Sequence, residues 1–97
     1  MSAPVYKRVL LKLSGEALVG TKEYGIDDSF ISDLANQLVE IHKKNVELII
    51  VIGGGNFFRG SDLEKLGIQR VTADHMGMLA TVINSLALQS SIEKLNT

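Results

Sequence analysis

The sequence predicts an α/β fold built on a parallel βαβ unit. Two short runs, Val9-Leu10-Leu11 and Leu48-Ile49-Ile50-Val51-Ile52, have strand length and large or β-branched apolar residues. Between them lies a segment with apolar residues at helical spacing. The second run is continuous, which predicts burial on both faces, as in a parallel sheet. Strand, helix and strand in that order imply a right-handed crossover.

The first strand is expected over residues 5–13, ending in the turn signal Ser14-Gly15. Residues 20–25 form a polar loop bounded by glycines, expected to be flexible. Asp27, Asp28 and Ser29 offer N-cap chemistry for a helix. Its apolar face is expected at Phe30, Leu34, Leu38 and Ile41, with Ile31 and Ala35 beside them. His42, Lys43 and Lys44 place positive charge in its last turn, and His42 reads as a solvated helix-end charge. Asn45 can close the helix in a left-handed conformation. The second strand covers residues 46–52, and Gly53-Gly54-Gly55-Asn56 ends it. Residues 57–66 can hold a short helix stopped at Gly67. The last helix is expected over residues 73–95, capped by Thr72 or Asp74. Met76, Leu79, Ala80, Ile83, Leu86 and Ala87 give it a broad apolar stripe, suited to the chain's own sheet or to a partner as well.

The 97 residues are enough for one domain, with 45% hydrophobic and 22% charged residues, which excludes disorder as the main state. The absence of cysteine excludes disulfide scaffolds, cysteine zinc sites and thiol nucleophiles. Residues 1–50 carry six basic and seven acidic groups, and residues 51–97 carry four of each. Neither half is a basic patch, so no nucleic acid partner is expected. No apolar stretch reaches membrane-span length, and Lys12 interrupts the only run near the N-terminus. A cytoplasmic location and no membrane partner are the expectation.

Two confident strands leave sheet edges and apolar strand faces uncovered, so the chain reads as the first part of a larger α/β domain. Ligands of open α/β sheets bind at the carboxyl ends of the strands. Lys12-Leu13-Ser14-Gly15 and Gly53-Gly54-Gly55-Asn56 fall there, with Arg59 beyond. Successive glycines let backbone N–H groups approach an oxyanion closely, and a guanidinium can grip phosphate oxygens in a bidentate manner. A flexible turn explains three glycines about as well. Neither GxxxxGK[ST] nor GxGxxG occurs. Lys12, at the tail of an apolar strand, either meets a ligand charge or snorkels to solvent. Ser14 suits a phosphate hydrogen bond better than nucleophilic attack. Asp74 either caps the last helix or accepts bonds from sugar hydroxyls. His75 lacks any spaced metal-ligand set, and Met76 and Met78 read as packing.

Three segments together, KLSGEAL at 12–18, VIGGGNFFRG at 51–60 and DHMGMLATVIN at 74–84, resemble the bacterial uridylate kinases (UMP kinases) of the amino acid kinase family. The likeness covers essentially the whole chain but only the N-terminal part of the family's longer one. KxSG and GGG occur widely among amino acid kinases, whereas the FRG and DHMGMLAT segments single out the UMP kinases. The resemblance implies a three-layer αβα sandwich and phosphoryl transfer from ATP, with Mg²⁺, to UMP in pyrimidine nucleotide biosynthesis. It implies catalytic roles for Lys12 and Arg59. ATP would be bound by Lys12, Leu13, Ser14, Gly15, Gly55 and Arg59, and UMP by Gly54 and Asp74. Gly20, Thr21, Lys22, Glu23, Tyr24 and Gly25 match a segment associated with allosteric activation by GTP. A homohexamer is implied, with a dimer contact through the helix at 73–95.

The donor-nucleotide part of the family lies beyond Thr97, so the 97 residues alone are expected to be inactive. The rival readings are a non-catalytic phosphate- or nucleotide-binding module, an oligomerisation module, and a family member acting on an amino acid. FRG and DHMGM disfavour the last.

Overall fold

The computed structural model describes residues 5–58 and 60–95. Its elements are β1 (Arg8–Leu13), a 3-10 helix (Gly15–Val19), α1 (Asp28–His42), β2 (Glu47–Ile52), α2 (Gly60–Lys65) and α3 (Arg70–Glu93). β1 and β2 pair in parallel, from Arg8 opposite Glu47 to Leu13 opposite Ile52. α1 supplies the crossover between them, as the sequence predicts. Arg8 and Glu47, opposite each other at the start of the ladder, form a solvent-facing ion pair at 2.7 Å.

β1 is shorter at its start than expected, because Val5 and Tyr6 stand in solvent and pair with nothing in the sheet. The strands alternate rather than being buried on both faces. Leu11, Leu13, Leu48, Ile50 and Ile52 face α1 and α3 and join a core with Leu18, Ile31, Ala35, Leu38 and Leu88. Leu10, Ile49 and Val51 point the other way and stay about half exposed. The continuous apolar run in β2 therefore serves one helical layer, and its other side is bare.

α1 begins where Asp27 accepts a bond from the Phe30 N–H at 3.0 Å. That bond is the main cause holding the Asp27 carboxyl below its usual pKa; the Thr21 and Ser29 N–H groups and the Lys22 charge act in the same direction. The buried face of α1 is Ile31, Ala35, Leu38 and Val39, with Phe30 and Ile41 at its margins. The face is turned by one residue from the expected one, because Ile31 and Ala35 rather than Phe30 and Ile41 meet the sheet core. Asn45 has φ of 65°, the left-handed closure expected of it. The His42 ring is not simply solvated: Nδ1 lies 3.1 Å from the Val46 carbonyl and closes the turn into β2. Gly67, with φ of 79°, ends the segment after α2.

α3 starts at Arg70, three residues before the expected start, with Gln69 as its cap residue and no side-chain cap bond. Thr72 and Asp74 thus lie inside the helix, and neither caps it. Its buried residues are Ala80, Asn84 and Leu88, flanked by Gly77, Thr81 and Ala87. Val71, Met78, Leu79, Val82, Ile83 and Leu86 are half or more exposed. Gly77, Ala80 and Thr81 are small where Gly54 comes against the helix, Leu88 reaches the core a turn or two further on, and the large apolar stripe faces out.

Candidate functional site

Both strands deliver their chains to the same end of the sheet, where residues 14–16 and 53–56 meet. The ladder continues one step past the strands, with the Gly53 N–H donating to the Leu13 carbonyl at 2.9 Å. Gly15 then passes so close to residues 53–55 that a Cβ there would contact the Gly53 carbonyl and stand 2.8 Å from the Gly55 nitrogen. Gly54 lies on α3, where a Cβ would come 2.7 Å from the Ala80 Cβ and 3.0 Å from the Gly77 carbonyl. Close backbone approach requires a glycine at both positions, so at Gly54 packing alone accounts for the residue type. Gly55 is less constrained, since a Cβ would meet chiefly the movable Glu16 side chain.

Ser14 caps the 3-10 helix, its Oγ accepting from the Glu16 N–H at 3.2 Å. A hydroxyl that accepts one bond keeps its own proton to donate, so the cap leaves Ser14 able to reach an oxyanion. Lys12 is exposed on the bare face of the sheet, opposite Val51 in the register. Asp74 is exposed in the second turn of α3, one turn before Gly77, and with capping excluded its carboxylate is committed to no helix-end role. The structure thus brings Ser14, Gly15, Gly54 and Gly55 together, with Asp74 on the helix that Gly54 touches. Arg59 lies outside the described residues.

Residues 20–25 fold back onto this end of the molecule. Gly25 and Asn56 exchange backbone and side-chain bonds: the Gly25 N–H donates to the Asn56 carbonyl at 2.8 Å, and Asn56 Nδ2 donates to the Gly25 carbonyl at 2.9 Å. A cleft of about 670 Å³ opens between this loop, Glu16, Gly55, Phe57 and Asp62. Its far wall is Lys22, Glu23 and Tyr24. The loop's free end is polar, but its root is fixed.

Sequence reasoning missed the buried residues Asn56 and Asn84, at 2% and 0% exposure. Their amides pair reciprocally, Asn56 Nδ2 to Asn84 Oδ1 at 3.0 Å and Asn84 Nδ2 to Asn56 Oδ1 at 2.8 Å. Asn84 Nδ2 also donates to the Gly53 carbonyl at 2.7 Å. The available signal was a lone asparagine at the centre of the last helix, three residues before and four after small or apolar residues.

A match to the amino acid kinase family spans residues 7–97. The chain belongs to the amino acid kinase family. Within it, the chain is 56% identical over 95 residues to the uridylate kinase of Xanthomonas axonopodis pv. citri, covering 98% of this chain and 40% of that protein. It is 51% identical over 92 residues to the uridylate kinase of Dichelobacter nodosus, covering 95% and 38%. Crystal structures of UMP kinase from Bacillus anthracis and Ureaplasma parvum superpose with TM-scores of 0.85 and 0.86, at 45% and 41% identity. They match 92% and 98% of this chain and 36% and 40% of their own. The chain therefore spans about 40% of the length of the curated relatives it matches. Its α/β architecture is that of the amino acid kinases, in which the parallel β1–β2 pair and its helices form one part. No helix of the described residues is long and apolar enough to cross a membrane.

Proposed function

We propose that this chain is the N-terminal, acceptor-side part of a UMP kinase, which transfers the γ-phosphoryl group of ATP to UMP and yields UDP and ADP. One observation carries the chemistry: two glycine segments are clasped at the carboxyl ends of parallel strands, against the helix that bears Asp74. The likeness to uridylate kinases across nearly all of the chain supports the choice of substrates. In the transfer, an oxygen of the UMP phosphate bonds to the γ-phosphorus as the bond from that phosphorus to the bridging oxygen breaks, and ADP leaves. Such a reaction needs positioning and charge stabilisation more than covalent help.

Ser14, Gly15 and Gly55, with Leu13 and Lys12, are assigned to the ATP phosphates, and Gly54 and Asp74 to UMP. Lys12 supplies a compact positive charge to the transferring group, and Arg59 grips phosphate where donor and acceptor meet. Mg²⁺ enters as a substrate on the ATP phosphates, and no residue of this chain is assigned to it. Residues 20–25 are assigned to activation by GTP. The outward apolar stripe of α3 is assigned to a dimer contact within a hexamer. The place of the reaction is pyrimidine nucleotide synthesis in the cytoplasm.

The test is UMP-dependent ADP release by the complete protein that carries these residues, compared with CMP, AMP and amino acids as acceptors. Lys12→Ala and Arg59→Ala are each expected to lower kcat/KM by about 2–4 kcal/mol, the cost of losing one transition-state charge contact. Binding of nucleotide without turnover would favour the non-catalytic module. The exposed α3 stripe gives a module built for oligomerisation its own support, and assembly without nucleotide binding would favour that reading.

A further inference from the structure

The Asn56–Asn84 pair is costly to bury, and an apolar pair of similar size would fill the same volume. All four amide N–H bonds of the two side chains are nevertheless used. Each amide donates once to the other, Asn84 donates also to the Gly53 carbonyl, and Asn56 donates also to the Gly25 carbonyl. The pair therefore ties three regions far apart in sequence: the root of residues 20–25, the segment after β2, and the middle of α3. Its two anchor points on the glycine segment are Gly53 and Asn56. Gly54 and Gly55 lie between them, so the backbone of both is bracketed by held atoms.

We propose that Asn56 and Asn84 are positioning residues for the backbone of Gly54 and Gly55, and that the bonds shared with Gly25 make residues 20–25 a lever on that backbone. Phosphoryl transfer punishes misplacement of about 1 Å severely. A ligand that moves residues 20–25 withdraws or strengthens two bonds to Asn56, and so shifts the segment that faces phosphate. The catalytic consequence rests on the UMP kinase reading; the mechanical link does not.

The experiment uses the complete protein, with Asn84→Ala and the paired apolar variant Asn56→Leu/Asn84→Leu. The paired variant restores packing without the side-chain bonds to the Gly25 and Gly53 carbonyls, and leaves the Gly25 N–H its backbone bond to the carbonyl of residue 56. It is expected to melt close to the wild type, to lose about 100-fold in kcat, and to exchange the Gly25 amide hydrogen at least about tenfold faster, the factor that about 1.4 kcal/mol of lost protection represents. Wild-type kcat and wild-type Gly25 exchange in the folded paired variant would overturn the proposal, leaving the asparagines as packing alone. Should neither variant fold, the wild type decides: adding UMP should slow exchange at Gly25 together with residues 54–56. Protection of residues 54–56 with Gly25 unchanged would remove the lever. If the wild type shows no UMP-dependent turnover, the kinase reading fails on its own, and the exchange comparison between wild type and Asn84→Ala still tests the link.

Discussion

At Gly54 a single hydrogen atom separates the loop from the helix. A methyl group there would meet the Ala80 Cβ at 2.7 Å and the Gly77 carbonyl at 3.0 Å. Neither can swing away, since one is a β-carbon and the other is helix backbone. Gly54→Ala in the complete protein is expected to cost about 1–3 kcal/mol of stability by overpacking, read as a lower denaturant midpoint. An unchanged midpoint would show that the loop yields freely. Asp74 poses the opposite question, because its substitution should spare stability. α3 begins at Arg70 and Asp74 caps nothing. Asp74→Asn is therefore expected to leave the melt unchanged while weakening UMP binding by about 1.5–3 kcal/mol, the range for hydrogen bonds to charged groups. ATP binding should change little. Titration calorimetry with each nucleotide separates the two, and full UMP affinity in Asp74→Asn would detach this residue from the acceptor. The close backbone approach at Gly15 and Gly54 was legible, because it leaves a signature in residue type. The asparagine pair was not, since an amide in a helix reads as surface until its partner 28 residues away is known.

Among the elements, both strands and α1 were legible because their periodicities are strong and their ends carry turn or cap chemistry. The start of β1 was not, since Val5 and Tyr6 have strand character but no partner in the sheet. The 3-10 helix at Gly15–Val19 was missed because its start depends on Ser14 capping within the fold. α3 misled most, and for a physical reason: it has two apolar faces. Ala80, Asn84 and Leu88 form the inner one, where small side chains admit the glycine segment. Leu79, Val82, Ile83 and Leu86, each at least half exposed, form the outer one. The broad stripe read from the sequence spans both faces: Ala80 and Ala87 turn inward, and Leu79, Ile83 and Leu86 turn out. An exposed run of this kind on a helix marks an interaction surface. In the complete protein, Leu79→Glu/Ile83→Glu is expected to lower the assembly mass measured by sedimentation, with the helix content unchanged. Unaltered mass would show that this stripe carries no contact between copies.

The whole molecule is more open than its length requires. Its Cα radius of gyration is 15.5 Å, whereas a compact domain of this length has about 12.5 Å. Its accessible surface is 7163 Å², against about 5,400 Å² for a folded monomer of this mass. Large apolar side chains stand exposed on the outer stripe of α3 and on the bare face of the sheet at Leu10, Ile49 and Val51. Full burial of such a side chain contributes about 1.5–3 kcal/mol, and these three forgo roughly half of it. Added to the α3 stripe, the loss is comparable with the ~5–15 kcal/mol by which a typical domain is stable. The two-stranded sheet also presents unpaired edges beside an apolar face, a template for association. Residues 1–97 expressed by themselves are therefore expected to associate or to lack a cooperative melt, and to release no ADP in the presence of UMP and ATP. Size-exclusion chromatography, a thermal melt and a coupled ADP assay on that polypeptide read all three. A soluble monomer with a sharp transition would mean that α1 and α3 alone stabilise the sheet, and the exposed faces would then need no further cover. Measurable UDP formation would place a complete donor site within these residues and overturn the reading of this chain as only part of a UMP kinase.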